Sequence, residues 1–570
     1  MQPRPLTPTL SPNEKAVGGE GANGRLPLFA IVVLVIIVYW PGVHGFWGRD
    51  DFMQLASARL VGSPWPLFVQ DHYVPVPGAV FRPLGFASFW LGAALFGTDY
   101  EAHAIADMLL HLGVALALFG LLLRAAIPRL LAVCCALLFA LHPAVVGTAL
   151  WWSARFDLLA ALFVLLALNA AFDYRERGRW TALLLALLAA FAAMLSKEVG
   201  LAVLVPLSWL WLRWAWHEPA QRAQALRAIA LAWLCALAYF GWRWSVLGTP
   251  ASGLTGTMPV SSAIAKGLLD WLQQAPGYLA FWARSDGARR GALVVAVLVL
   301  AMAVGAAIMR HPARGTGRRR VDLAVCGLCL LVVPALLQAP VAALNAAPLR
   351  ADMSVIEAAM QSRLYYLGIS GAAIALAALL APVWDTSSTR WRIAIFVPLA
   401  FAAAALGSIS HADARAFAKR SMQISTVARA AVAAVGELDL PTSRCHVVFL
   451  GIDPPPEWSI YVSMDSIVKA LSPDLARVGH CYFHADYVTY FHLLAAPVDT
   501  GDAAPYRPLE IDGRIVPPRR IGGLLIDYLS PPPQVDPREL ASMRFLRYRD
   551  GRFDDVSADV VAGRLAVRLR

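Results

Sequence analysis

Long apolar runs alternate with short polar stretches over the first two thirds of the chain. Runs of membrane-spanning length fall near 27–46, 103–123, 130–147, 156–172, 180–196, 199–216, 226–246, 291–309, 321–338, 363–382 and 393–410. This pattern predicts eleven transmembrane helices, since about 20 apolar residues cross a bilayer core. Residues 84–96 are apolar but too short to span, which suits a helix lying at the interface. After residue 410 the pattern changes to short strand-like runs and turn signals. The fold class expected is therefore mainly α, a polytopic membrane protein with a small C-terminal α/β or α+β extracytoplasmic domain. The expected parts are a disordered cytoplasmic tail over 1–26, a membrane domain over 27–410 and a soluble domain over 411–570.

Composition agrees with the pattern. Of 570 residues, 58% are hydrophobic and 15% charged, and the mean hydropathy is +0.58. These values exclude an ordinary soluble globule. The net charge of +11 comes without a basic stripe interleaved with aromatics, so nucleic acid is not an expected partner. The arginines report orientation instead. Arg124 and Arg129, Arg175 to Arg179, Arg213 to Arg227, Arg310 to Arg320, and Arg390 with Arg392 occupy every second connection. Those loops are expected inside the cell, with the N-terminus inside and the C-terminal domain periplasmic or extracellular. The setting this suits is a bacterial inner membrane. Cys326-x-x-Cys329 lies within an apolar run and has no partner pair, so it reads as packing. Cys445 and Cys481, the two cysteines of the tail, are expected to form a disulfide in an oxidising compartment.

The opposite face gathers unusual charges. Asp50 and Asp51 follow the first span, and His103 opens the second. His142-Pro143 ends the third; Trp151, Trp152, Ser153, Arg155 and Asp157 open the fourth. Lys197 and Glu198 join the fifth to the sixth, and Arg363 with Tyr366 opens the tenth. Each has a plain structural reading: a stop signal, a cap, a solvated turn, or an ion pair. Arg155 and Asp157, two apart on a helix, would not face each other. Together, carboxylates and cations at one interface suit an anionic lipid headgroup beside an acid/base site.

The run from His142-Pro143 through Trp151-x-Ser153-x-Arg155-x-Asp157 to Ser196-Lys197-Glu198-Val199-Gly200 resembles the membrane part of the transmembrane O-mannosyltransferases that carry tetratricopeptide repeats, within the wider GT-C class. Phe81-Arg82-Pro83-Leu84 and Arg363-x-x-Tyr366-Leu367 resemble that family's first-loop and late motifs. The chain departs from the pattern at Val145, Gly147, Ser362 and Gly368, and no tetratricopeptide repeat follows His411. The resemblance covers roughly 27–410 and implies a glycosyltransferase. It would move a sugar from a polyprenyl-phosphate donor to a glycan, lipid or protein hydroxyl at the outer face. An acidic residue after the first span, Asp50 or Asp51, is then the general base. Arg155, Lys197 and Arg363 would hold the phosphate, and Arg82, His103, His142, Asp157, Glu198 and Tyr366 complete the substrate-binding set. The acidic pair is also a candidate site for a divalent cation, magnesium or manganese, although no metal ligand set is otherwise apparent.

In the tail, Cys445–Gly451 reads as a buried strand and 463–477 as a helix, while Asp512-Gly513 and Asp550-Gly551 read as hairpin turns. His480, His484, Asp486 and His492 match no standard metal spacing. Two other function classes fit a polytopic chain. A transporter or flippase of lipid-linked sugars would place charges near the bilayer midplane and break helices in both halves. A membrane-anchored binding protein would need no such outer-face cluster.

Overall fold

The computed structural model describes residues 25–70, 80–248, 316–345, 361–441, 445–452, 464–485 and 543–562, four short strands between 509 and 526, and a few single positions. The described helices include α1 (Arg25–Val43), α2 (Asp50–Leu60), α3 (Pro66–Val69), α4 (Pro83–Phe96), α5 (Tyr100–Arg124), α6 (Arg129–Ala140), α7 (Val146–Leu150), α8 (Arg155–Arg177), α9 (Trp180–Ser196), α10 (Leu204–His217), α11 (Arg222–Leu247), α12 (Thr316–Asn345), α13 (Tyr366–Thr386), α14 (Thr389–Glu437) and α15 (Met464–Leu471). Among the described residues, eight helical segments are long and apolar enough to cross a membrane. A ninth arises if α6 and α7, bent by 54° at His142-Pro143, count as one span. The bend has a cause in the sequence, because a proline cannot continue the helical ladder. The seventeen-residue α9 coincides with another expected span but falls among the shorter apolar helices. Thus ten of the eleven apolar runs are helical, and the run 291–309 lies outside the described residues.

Small residues set the helix contacts. Ala182, Ala186, Ala190 and Ala193 form a buried stripe on α9, which packs on α8. Leu184, Leu185 and Leu188 on α9 are exposed apolar side chains, as expected toward lipid. A Cβ on Gly327 of α12 would approach Ala375 N and Gly371 O to 2.7 Å each. Such close backbone approach is how helices associate where burial from water gives no drive.

Two polar ends result. At one, Arg175 and Arg213 both pair with Asp322, Arg319 with Glu176 at 3.0 Å, and Arg320 with Asp385 at 2.5 Å. These are the arginines of the basic loops. At the other end α8 starts at Arg155, twenty residues from Arg175. At about 1.5 Å per residue that is about 30 Å, one bilayer core.

The last span does not stop near 410. Helix α14 continues without a break from Thr389 to Glu437, carrying Pro398 within it. The alanine-rich segment that follows His411 carries no proline, so the same helix runs on into the C-terminal sheet domain. There, strands β1 (Cys445–Leu450), β2 (Cys481–Ala485), β7 (Arg544–Arg549) and β8 (Arg552–Asp555) form one sheet in the order β2-β1-β7-β8. β1 runs parallel to β2 and β7; β8 returns antiparallel. Asp550 and Gly551 both have positive φ, which the two-residue hairpin requires. Strands β3 (Leu509–Ile511) and β4 (Arg514–Val516) pair antiparallel, as do β5 (Arg519–Ile521) and β6 (Leu524–Ile526). The Asp512-Gly513 turn lies outside the described residues. The helix expected over 463–477 is two helices, α15 and Leu475–Val478. Pro473 separates them, because a proline disfavours helical backbone at the residue before it.

Cys445 and Cys481 are opposite each other in β1 and β2 and form a disulfide, with Cα atoms 4.5 Å apart. His480 lies beside them, but with both sulfurs bonded to each other the three residues do not offer a metal site. Its ring bonds to Pro441 O at 2.7 Å instead. The side chains of His484, Asp486 and His492 lie outside the described residues. The bridge closes a loop of sequence separation 36. Removing it by Cys445→Ala with Cys481→Ala should destabilise the C-terminal sheet domain by about 3–4 kcal/mol on loop-closure entropy. Thermal unfolding followed under oxidising conditions measures this, and non-reducing peptide mapping of the parent should recover the linked peptides.

Candidate active site

The site is built on the N-terminus of α2. Asp50 and Asp51 are its first two residues, where free backbone N–H groups and the helix dipole favour carboxylates. Their environments differ. The Asp51 Oδ1 accepts from the Ser153 backbone N–H at 2.9 Å and the Ser153 hydroxyl at 2.6 Å, and Oδ2 accepts from Gly48 N–H at 3.1 Å. Asp51 is 2% exposed and pins α2 to the turn between α7 and α8. Burial pushes its carboxyl up to about 7, with the Ser153 and Gly48 bonds opposing and the neighbouring Asp50 charge adding least. Asp50 is half-buried, and its Oδ1 has no hydrogen-bond partner among the described residues. Burial raises its pKa above the ordinary 3.8, while the charges of Arg363 and Arg49 oppose that rise. Desolvation, not repulsion within the pair, is therefore the main cause for both.

The expected cations divide in the same way. Arg363 is half-buried, its guanidinium carbon 4.5 Å from the centroid of the Trp151 ring, and its Nε is unbonded among the described residues. Its charge acts on both Asp50 and Lys197. Lys197, between α9 and the following helical turn, donates to Asp157 Oδ1 at 2.6 Å. Burial lowers its pKa to about 8; Asp157 opposes this, while Arg82 and Arg363 lower it further. Arg82 holds Glu198 Oε2 through Nε at 2.8 Å and a second nitrogen at 2.7 Å. Arg243 approaches the other Glu198 oxygen at 3.7 Å. Arg155 and Asp157 do go to different partners. Arg155 Nε donates to Asp107 Oδ1 at 2.5 Å and a second nitrogen donates to Ser88 O at 3.1 Å, with the guanidinium between the Phe89 and Trp152 rings. Arg155 and Asp107 are 4% and 1% exposed, which makes them an internal brace under α4 rather than an open contact.

The two expected histidines are also internal. His103 is fully buried against Trp47, Trp152 and Phe96, and bonds Gly97 O at 3.2 Å. His142 accepts from Ala144 N–H at 3.2 Å, capping the turn Pro143–Val145. The Tyr366 hydroxyl meets His111 Nδ1 at 2.7 Å, deep in the membrane domain. Tyr366 and His111 therefore satisfy each other. Neither His111 nor Arg243 stands out in the sequence pattern by spacing. Arg243, flanked by Trp242 and Trp244 inside an apolar run, was nevertheless legible as an isolated intramembrane charge.

Among the described residues no third His, Cys, Asp or Glu joins Asp50 and Asp51 in a metal-binding group. Magnesium is commonly held by one or two carboxylates together with waters and substrate phosphates, so the acidic pair is compatible with a divalent cation. The arrangement offers one carboxylate with a buried, unbonded oxygen among the described residues, and an arginine whose charge acts on that carboxylate and on Lys197.

No protein-family profile matches the chain, and no curated protein matches it. Among solved structures the chain is similar to the oligosaccharyltransferase of Archaeoglobus fulgidus in complex with Zn and sulfate, at 14% identity and a TM-score of 0.42, over 78% of this chain and 62% of that one. It is similar to ArnT from Cupriavidus metallidurans bound to undecaprenyl phosphate, at 14% identity and a TM-score of 0.36, over 80% of this chain and 87% of that one. The arabinofuranosyltransferase AftD from mycobacteria gives 17% identity and a TM-score of 0.41, over 85% of this chain and 32% of that one. The chain thus spans about three fifths of the oligosaccharyltransferase.

Proposed function

We propose that this protein is a membrane glycosyltransferase that moves a sugar from a polyprenyl-phosphate carrier to a hydroxyl acceptor. The observation that supports the reading is Asp50 at the start of α2, its buried Oδ1 without a hydrogen-bond partner among the described residues and its carboxyl within the influence of the Arg363 charge. A lipid-linked donor keeps its chain in the bilayer and brings its sugar to that level. The acceptor O–H attacks the anomeric carbon and gives its proton to the Asp50 carboxylate. The bond from that carbon to the phosphate oxygen breaks, and the phosphate leaves with the bonding pair. Its charge is met by Arg363 and by Lys197, whose cationic form Asp157 supports. Arg82 and Arg243 keep the Glu198 turn in place beside Lys197. Asp51 holds α2 on Ser153 and so positions Asp50. Deleting the gene and comparing envelope glycans, lipids and glycoproteins by mass tests the reading.

The site face is proposed to be the outer one. The basic loops gather at the opposite end, as cytoplasmic loops do. A reporter active only outside the membrane, fused after Arg570, should then be active, and one inserted near Gly315 inactive. The reverse pattern would put the site in the cytoplasm.

A further inference from the structure

The soluble domain touches the helix that carries the acidic pair. At the far end of α2, Arg59 donates to the carbonyls of Lys469 at 3.2 Å, Ala470 at 2.6 Å and Ser472 at 2.8 Å. These are the orphan acceptors at the C-terminus of α15, where a guanidinium is best placed. α15 is itself fixed to the sheet. Asp465 accepts from Phe483 N–H of β2 at 3.2 Å and pairs with the buried Lys469 at 2.9 Å. The disulfide joins β2 to β1. At the near end of α2 the long helix α14 takes part: Phe46 N–H donates to Ser421 Oγ at 2.9 Å, and Arg429 covers the Phe46 ring at 5.2 Å. Arg477 closes the bracket by donating to Gly436 O and Val435 O at the end of α14.

We propose that Arg59 is a positioning residue through which the soluble domain holds α2, and with it Asp50, against the membrane site. The proposal rests on the glycosyltransferase reading for its consequence in catalysis but not for the clamp itself. A helix of eleven residues transmits position from Arg59 to Asp50 because it moves as one rigid piece. Without the clamp, α2 keeps its Asp51 anchor and the packing of its buried Phe52, Met53, Leu55 and Ala56, but loses its polar tie to the end of α15.

The test compares Arg59→Ala, Arg59→Lys, Asp50→Asn and the parent as full-length proteins in lipid nanodiscs. Hydrogen exchange of residues 50–60 should speed by about ten- to a hundredfold in Arg59→Ala, the worth of losing charged hydrogen bonds. Exchange in α5 and α8 should stay unchanged. Affinity for undecaprenyl phosphate as the probe should also stay unchanged, whereas transfer in complemented cells should fall by about 10²-fold through misplacement of the base. Arg59→Lys, which keeps a cation on the carbonyls, should recover most of both. Exchange of 50–60 at the parent rate in Arg59→Ala, or equal loosening of α5 and α8, overturns the clamp. If Asp50→Asn leaves transfer intact while Arg59→Ala still loosens 50–60, the clamp stands and the catalytic reading falls.

Discussion

Asp50→Asn should lower sugar transfer by about 10²–10⁴-fold, the usual loss on removing a positioned general base. Asparagine is nearly isosteric and sits as well at a helix start, so expression and folding should survive. Affinity for undecaprenyl phosphate should change little, because Arg363 and Lys197 remain. The pH profile supplies a second reading of the same group. Burial raises the Asp50 pKa above 3.8. The base is active when ionised, so transfer should fall on the acid side through a pKa above the ordinary carboxylate range. Asp51→Asn should behave differently. It weakens the bonds to Ser153 and Gly48, so its effect should appear as loss of thermal stability together with activity. Equal loss of transfer with unchanged stability in both mutants would contradict this division of roles.

Arg155→Ala should fail through the fold rather than through donor binding. The mutation leaves Asp107, 1% exposed, without its guanidinium partner, and uncovers the Phe89 and Trp152 rings. Breaking a buried ion pair from one side costs about 3–5 kcal/mol. The protein should be recovered at reduced level and unfold earlier in detergent. Replacing both partners, as Arg155→Met with Asp107→Leu, removes the stranded charge and should recover much of the loss. Arg363→Gln should do the opposite, keeping stability and weakening undecaprenyl phosphate binding by about 1.5–3 kcal/mol. A stable Arg155→Ala with lost binding would move Arg155 back into the phosphate site.

Much of this architecture was legible in the sequence. Apolar runs mark the helices because lipid demands about twenty such residues per span, and the alternation of arginines marks the two ends. Assigning each loop to a face put Asp50, Asp51, Lys197 and Arg363 on one side, and the Arg363 charge acts on both Asp50 and Lys197. What the sequence did not show is who pairs with whom. Arg155 meeting Asp107, and Lys197 meeting Asp157, depend on the rotation and depth of α5, α8 and α9, which an all-round apolar helix does not encode. The same holds for His103, whose ring packs among aromatics and bonds Gly97 O, and for His142, whose ring caps the turn that follows it. The continuation of α14 past His411 was hidden because the hydropathy ends there while the helix does not. Arg59 gave no signal at all, since its partners are backbone carbonyls some 410 residues away.

The most direct measurement is mass analysis of envelope glycans, lipids and glycoproteins from cells lacking the gene, complemented with the parent or with Asp50→Asn. A catalytic role for Asp50 predicts one sugar increment on a defined acceptor that disappears in the deletion, returns with the parent and does not return with Asp50→Asn. Restoration of the same increment by Asp50→Asn, alone and combined with Asp51→Asn, would contradict it.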